Sequence, residues 1–165
     1  DGQHRVGGRM AIAAELETPD GPLAVAAVHY ESESTPATRG EQTRRMLAAM
    51  DGLYGDLPVV IGGDLNTATL AADTHSRHQR LNEPQDDEPC FQIFAAHDYR
   101  WGGGNTGETT TRHPPNRIIR HPHKTIDWLF VRGGRLFDPA VIPAVLDDDD
   151  YLSDHDMVAA YLSLS

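Results

Sequence analysis

The run Pro58-Val59-Val60-Ile61 limits most sharply what this chain can become. It is a short, unbroken apolar stretch rich in β-branched residues, the pattern of a strand buried on both faces. It stops at Gly62-Gly63, and Asp64-Leu65-Asn66 follows. A buried strand that opens onto polar residues at its carboxyl end belongs to an α/β sheet, where ligands sit just beyond such ends. The two glycines let the backbone turn sharply and approach a ligand closely. Asp64 and Asn66 supply a carboxylate and a neutral amide, a pair that can hold a metal or a water and orient a phosphate oxygen. The same residues also suit a turn in which each side chain only bonds its own backbone.

The elements around this strand are readable from local signals. Arg9–Thr18 and Leu23–Tyr30 read as strands joined by Pro19-Asp20-Gly21-Pro22, hence a hairpin. The small apolar residues of the second strand predict burial on both faces. Thr35 followed by Pro36 is a helix start, and the helix runs through Met46, Leu47 and Met50 to the glycines at 52 and 55. Residues 73–90 form a polar surface excursion, and Cys90–His97 a short helix. Residues 101–124 form a long loop of the kind that is functional or disordered. Thr125–Val131, Leu136–Val145 and His155–Leu162 read as strands, with an acidic turn at Asp147–Asp150.

At 165 residues the chain is expected to form one domain, with no internal linker. No apolar run is long enough to cross a bilayer as a helix. The single cysteine, Cys90, excludes an intrachain disulfide and fits a reducing, cytoplasmic compartment. No obligate protein partner is evident. The net charge of −11 opposes extended, sequence-independent binding of nucleic acid. The cations are nevertheless concentrated: Arg100, Arg112, Arg117, Arg120, Lys124, Arg132 and Arg135 lie between residues 100 and 135. That makes a local anion site, with a solvated loop as the plain alternative.

Asp127 is the sharper chemical clue. In Thr125-Ile126-Asp127-Trp128-Leu129-Phe130-Val131 the side chains alternate, so Asp127 shares a face with Leu129 and Val131. A carboxylate among apolar neighbours is costly unless paired. A histidine is its natural partner, since the carboxylate fixes the tautomer and raises the pKa. Asp154-His155 supplies one, beside a further carboxylate. His29, at the end of the second strand, is a further candidate. The histidines at 113, 121 and 123 lack the spacing of a zinc site. Asp147–Asp150 lacks the pattern of a calcium loop.

Taken in order, His29-x-Glu31-Ser32, Val59-Val60-Ile61-Gly62-Gly63-Asp64-Leu65-Asn66, Thr125-Ile126-Asp127-Trp128 and Ser153-Asp154-His155 resemble the DNase I-like endonuclease/exonuclease/phosphatase superfamily. The stretch after His29, with Arg39, Gln42 and Arg45, is similar to members related to tyrosyl-DNA phosphodiesterases. The resemblance implies an α/β (α+β) fold, the four-layer αββα sandwich of two facing sheets with helices outside. It implies a phosphoesterase dependent on Mg²⁺ or Mn²⁺. The catalytic set would be His29, Asp64, Asn66, Asp127 and His155, with Asp64, Asn66 and Asp154 as metal ligands. Arg39, Arg117 and Lys124 would contact a phosphate-ester substrate, nucleic acid among the candidates. The family's metal-binding Glu, often in a Gln-Glu pair, has no match before His29. Residues 1–165 are therefore expected to be the C-terminal portion of the domain, a partial sandwich inactive alone. The alternatives are a phospholipid or inositol-phosphate hydrolase and a non-catalytic binding module that retains the fold.

Overall fold

The computed structural model describes residues 11–112, 123–147 and 150–164. Strand β1 (Ala11–Thr18) and strand β2 (Gly21–His29) form the expected antiparallel hairpin. Gly21 makes the turn at φ +112°, and the Thr18 hydroxyl donates to its carbonyl at 2.7 Å. Helix α1 (Pro36–Tyr54) follows, with Thr35 as its cap: the Thr35 hydroxyl accepts from the Thr38 N–H. Strand β3 (Val59–Asp64) then runs parallel to β2, and strand β4 (Asp127–Arg132) pairs antiparallel with β3. The sheet order is β1-β2-β3-β4.

The polar excursion at 73–90 is more ordered than its composition suggests. It holds helix α2 (Arg77–Asn82), a 3-10 turn at Pro84–Asp86 and the buried Glu88. Helix α3 (Cys90–Ala96) lies close to its predicted position. The predicted strand Leu136–Val145 is two elements, β5 (Arg135–Ile142) and β6 (Val145–Asp147), the latter paired with the short β7 (Asp150–Tyr151). Strand β8 (Met157–Ser163) closes a separate two-stranded sheet with β5. No helix among the described residues is long and apolar enough to cross a membrane.

The core lies on one face of the four-stranded sheet. Ala24, Ala26, Val28, Val59, Ile61, Trp128 and Phe130 point to this face and pack against Met46, Leu47 and Met50 of α1 and Phe91 and Phe94 of α3. Phe94 stacks on Phe130 at 3.8 Å, and Phe91 meets Trp128 edge-on at 4.7 Å. Such pairs add about 0.5–1.5 kcal/mol each beyond their burial. The other face of the sheet was predicted to be buried too, and here the structure differs. Ile12 is 68% exposed and Leu16 45%, with Ala14 and Ala27 also exposed and Val25 and Val60 only half-buried. On that side of β1, β2 and β3 only Leu23, near the start of β2, is buried.

The glycine pair also behaves differently from expectation. The strand does not stop at Ile61; β3 continues through Gly62 and Gly63 to Asp64. Gly63 adopts φ +145°, and a Cβ there would lie 2.0 Å from the Val28 carbonyl oxygen. Only glycine lets the two strands stay paired at that point. Gly63→Ala is therefore expected to destabilise the fold by about 3 kcal/mol or more, from strain and clash together. Gly21→Ala, which meets nothing within 4 Å, should cost only about 1 kcal/mol for its positive φ. Urea unfolding of the two variants checks this, and equal midpoints would refute it.

Candidate active site

The register set at Gly63 aligns three polar residues across the sheet. His29 pairs with Asp64 on β2 and β3, and Asp64 pairs with Asp127 on β4. Paired positions share a face, so all three point away from the aromatic core. They stand at one end of the face that carries Ile12, Val25 and Val60. The His29 Nε2 lies 3.5 Å from the Asp64 carboxylate. His155, just ahead of β8, reaches the row from the other side, its Nδ1 at 2.9 Å from Asp127 Oδ2 and 3.1 Å from Oδ1. Ligating atoms of Asp64, Asp127 and His155 all lie within 4.8 Å of one another.

Electrostatics follow from this crowding. The hydrogen bond and charge of Asp127 outweigh the burial of His155 and raise its pKa from the ordinary 6.5 to about 9, so it is protonated at neutral pH. Asp64 is pushed up from the usual carboxylate range, chiefly by burial and then by the charge of Asp127. The Asp64 Oδ1 accepts the Asn66 N–H at 2.7 Å, and the Asn66 amide donates to the Tyr30 carbonyl at 2.9 Å and to Asp64 Oδ2 at 3.2 Å. The turn bonding open to these residues from sequence is thus present. It coexists with an Asp64 carboxylate aimed at the same space as Asp127. Asn66 takes φ +50° at this turn, a conformation asparagine tolerates better than most residues.

A model described as the Endonuclease/Exonuclease/phosphatase family matches residues 5–155. The chain belongs to that family. Among solved structures it is similar to an endonuclease/exonuclease/phosphatase from Bacteroides vulgatus, at 19% identity and TM-score 0.66, covering 95% of this chain and 56% of that one. It is similar to a mannosyl-6-phosphatase from Bacteroides thetaiotaomicron at 18% identity and TM-score 0.61, covering 98% and 60%. It is similar to TDP2 from D. rerio, solved with a single-strand DNA product, at 19% identity and TM-score 0.57, covering 94% and 62%. No curated protein sequence matches the chain. At these identities the likeness shows the fold: a mixed α+β arrangement of the DNase I-like kind. The chain spans 56%, 60% and 62% of these three structures, in keeping with a partial sandwich.

The structure sorts the remaining family residues expected from sequence. Asp154 is exposed in the loop before β8 and lies outside the Asp64–Asp127–His155 cluster. Lys124 is half-buried and bridges Ala71 through its backbone. Arg117, with His113 and His121, falls outside the described residues. Arg39 needs correction as a substrate contact. It is only 1% exposed, and its guanidinium forms a paired hydrogen bond to Glu88, Nε to Oε2 at 2.9 Å and Nη2 to Oε1 at 2.6 Å. A third donation goes to the Ser34 carbonyl at 2.6 Å. An arginine spent on a fully buried carboxylate has no charge to offer a ligand. Sequence reading missed Glu88, which sits in a polar stretch with nothing to mark it as buried. It also missed the buried Thr110 and the pair Arg112–Asp156.

Two outcomes are expected. Asp127→Asn should return the His155 pKa from about 9 toward 6.5, as read by NMR titration of the metal-free protein. A titration that stays near the wild-type value would refute the pairing. Arg39→Ala should lower unfolding stability by about 3–5 kcal/mol, because it strands a buried Glu88. A raised KM with unchanged stability would instead restore Arg39 to the substrate site.

Proposed function

We propose that these residues form the C-terminal catalytic part of a divalent-metal-dependent phosphoesterase that hydrolyses a phosphodiester or phosphomonoester by in-line attack of water. The observation that carries this reading is the convergence of Asp64, Asp127 and His155 within 4.8 Å at one end of the sheet. Family membership supports it, since the family is named for nucleases and phosphatases.

The donor set fits Mg²⁺ or Mn²⁺. Carboxylate and amide oxygens suit such hard cations; Asp64 and Asn66 are the residues that would hold one, with Asp154, exposed in the loop before β8 and outside the cluster, as the further ligand the resemblance implies. Burial chiefly, and then the charge of Asp127, push the Asp64 pKa up, and a divalent cation would offset both. When bound, such an ion supplies charge neutralisation on the phosphate. Asp64 orients the attacking water and draws its proton. Asn66 and His29 hold the phosphate in line. His155, kept protonated by Asp127, donates toward the oxygens on which charge develops. The 165 residues alone are expected to be inactive, because the sheet face beside the site lies uncovered among the described residues.

Asp64→Ala and His155→Ala in the full-length protein should each reduce turnover on the order of 10²–10⁴-fold while leaving the fold intact. Chelation should abolish turnover, and added Mg²⁺ or Mn²⁺ should restore it. Near-normal turnover in either variant, or indifference to chelation, would overturn the proposal.

The charge of −11 favours a second substrate class within the same chemistry. It disfavours long nucleic acid, which is held by phosphate neutralisation, and suits a strand end, a phospholipid head group or a small phosphomonoester. A panel of single-strand DNA, nucleotides, inositol phosphates, sugar phosphates and sphingomyelin separates these. A folded, metal-binding protein that turns over none of them would be the binding module.

A further inference from the structure

Residues 110–112 lie between the two parts of the site. The Thr110 N–H donates to the Lys124 carbonyl at 2.8 Å, and the Thr110 carbonyl accepts the Asp156 N–H at 2.8 Å. Thr111 forms a β-bridge with His155, and the Arg112 N–H donates to the Asp154 carbonyl at 2.7 Å. Arg112 then clamps the loop from its far side, Nε to Asp156 Oδ1 at 2.6 Å and Nη2 to Oδ2 at 2.8 Å. Asp156 Oδ1 also accepts the Ala144 N–H at 3.0 Å, fixing the loop to the entry of β6. This stretch therefore carries His155 on one edge.

Its other edge meets the start of β4 through one side chain. The Thr110 hydroxyl oxygen accepts the N–H of Ile126 at 3.1 Å and that of Asp127 at 3.2 Å. Thr110 is 1% exposed, so no water can readily take over these bonds. Thr110 thus joins the backbone that aims the Asp127 carboxylate to the backbone next to His155, beside Thr111, which bonds Lys124 and bridges His155.

We propose that Thr110 is a positioning residue for the Asp127–His155 couple. Its hydroxyl sets where Asp127 starts β4, and its carbonyl sets where the loop bearing His155 runs. The kinetic part of this proposal rests on the phosphoesterase reading; the structural part does not. Thr110→Val keeps the shape and deletes the acceptor, whereas Thr110→Ser keeps the acceptor. Both are made in the full-length protein, and the readouts are kcat, KM and the ¹H–¹⁵N signature of the His155 ring, which reports whether Nδ1–H is held by Asp127.

In Thr110→Val the held Nδ1–H signal should be lost, and kcat should fall on the order of tenfold to a hundredfold, the usual effect of a small misplacement at a reacting centre. KM should change by less than about threefold, since ground-state binding is untouched. Thr110→Ser should match the wild type in both. The proposal is overturned if Thr110→Val keeps the wild-type ring signature and kcat, if Thr110→Ser is impaired as badly, or if the wild type lacks the signature. Should Thr110→Val not fold, Arg112→Gln loosens the same stretch from its other end and must give the same loss of signal; a wild-type signature there also overturns it. A lost signal in a protein that hydrolyses no phosphate ester supports the positioning role and removes the phosphoesterase reading alone.

Discussion

The contact on which the site depends is the close approach of β2 and β3 at Gly63. A side chain there would enter the Val28 carbonyl. With none, the parallel pairing runs one residue further, and His29 comes opposite Asp64. The antiparallel pairing with β4 then puts Asp127 opposite Asp64. A one-residue slip in either pairing would turn a carboxylate toward Trp128 and Phe130 and an apolar side chain toward the site. The aromatic core forbids that slip, because it requires Val28, Ile61, Trp128 and Phe130 on the helix side. Packing on one face of the sheet thereby fixes chemistry on the other.

That other face explains why the core is one-sided. Ile12, Ala14, Val25, Ala27 and Val60 form an apolar surface on the side away from the helices, continuous with the row His29, Asp64, Asp127. In a two-sheet sandwich such a surface is the inner face, and a site at its end lies at the mouth between the sheets. The chain matches little more than half of each related structure quoted above, in keeping with a partial sandwich. The β5–β8 ribbon packs near β4 and leaves β1 and β2 bare, so exposure is greatest at Ile12 and Leu16.

Much of this was legible from local sequence. The hairpin, the Thr35 cap and the alternation in β4 are short-range signals, and each element lies within a few residues of its expected place. The alternation also told which face Asp127 would take, and that an apolar face would demand a partner for it. What sequence could not supply was burial, a property of what lies across space. The small apolar residues of β2 suggested two covered faces, but only one is covered here. Arg39 was placed at the substrate because its partner Glu88 lies 49 positions away, in a stretch whose composition marks it as surface. Thr110 escaped for the same reason: a threonine in a polar loop has no local mark of the two backbone groups it satisfies.

The charge order of the site gives its remaining logic. Across the row the groups run imidazole, carboxylate, carboxylate, imidazole: His29, Asp64, Asp127, His155. Asp127 is tied to a protonated His155 by a hydrogen bond and by charge. Asp64 has a weaker relation to His29, at 3.5 Å, and spends one oxygen on the Asn66 backbone. Burial raises its pKa, and the charge of Asp127 adds to that. The two carboxylates are therefore not interchangeable. Asp127 is committed to holding a histidine, whereas Asp64 accepts from the backbone and side-chain amides of Asn66 and lies beside His29. Removing Asp127 would change both at once, releasing His155 and relieving Asp64. Removing Asp64 would leave the Asp127–His155 hydrogen bond in place, so the two losses are distinguishable at the His155 ring.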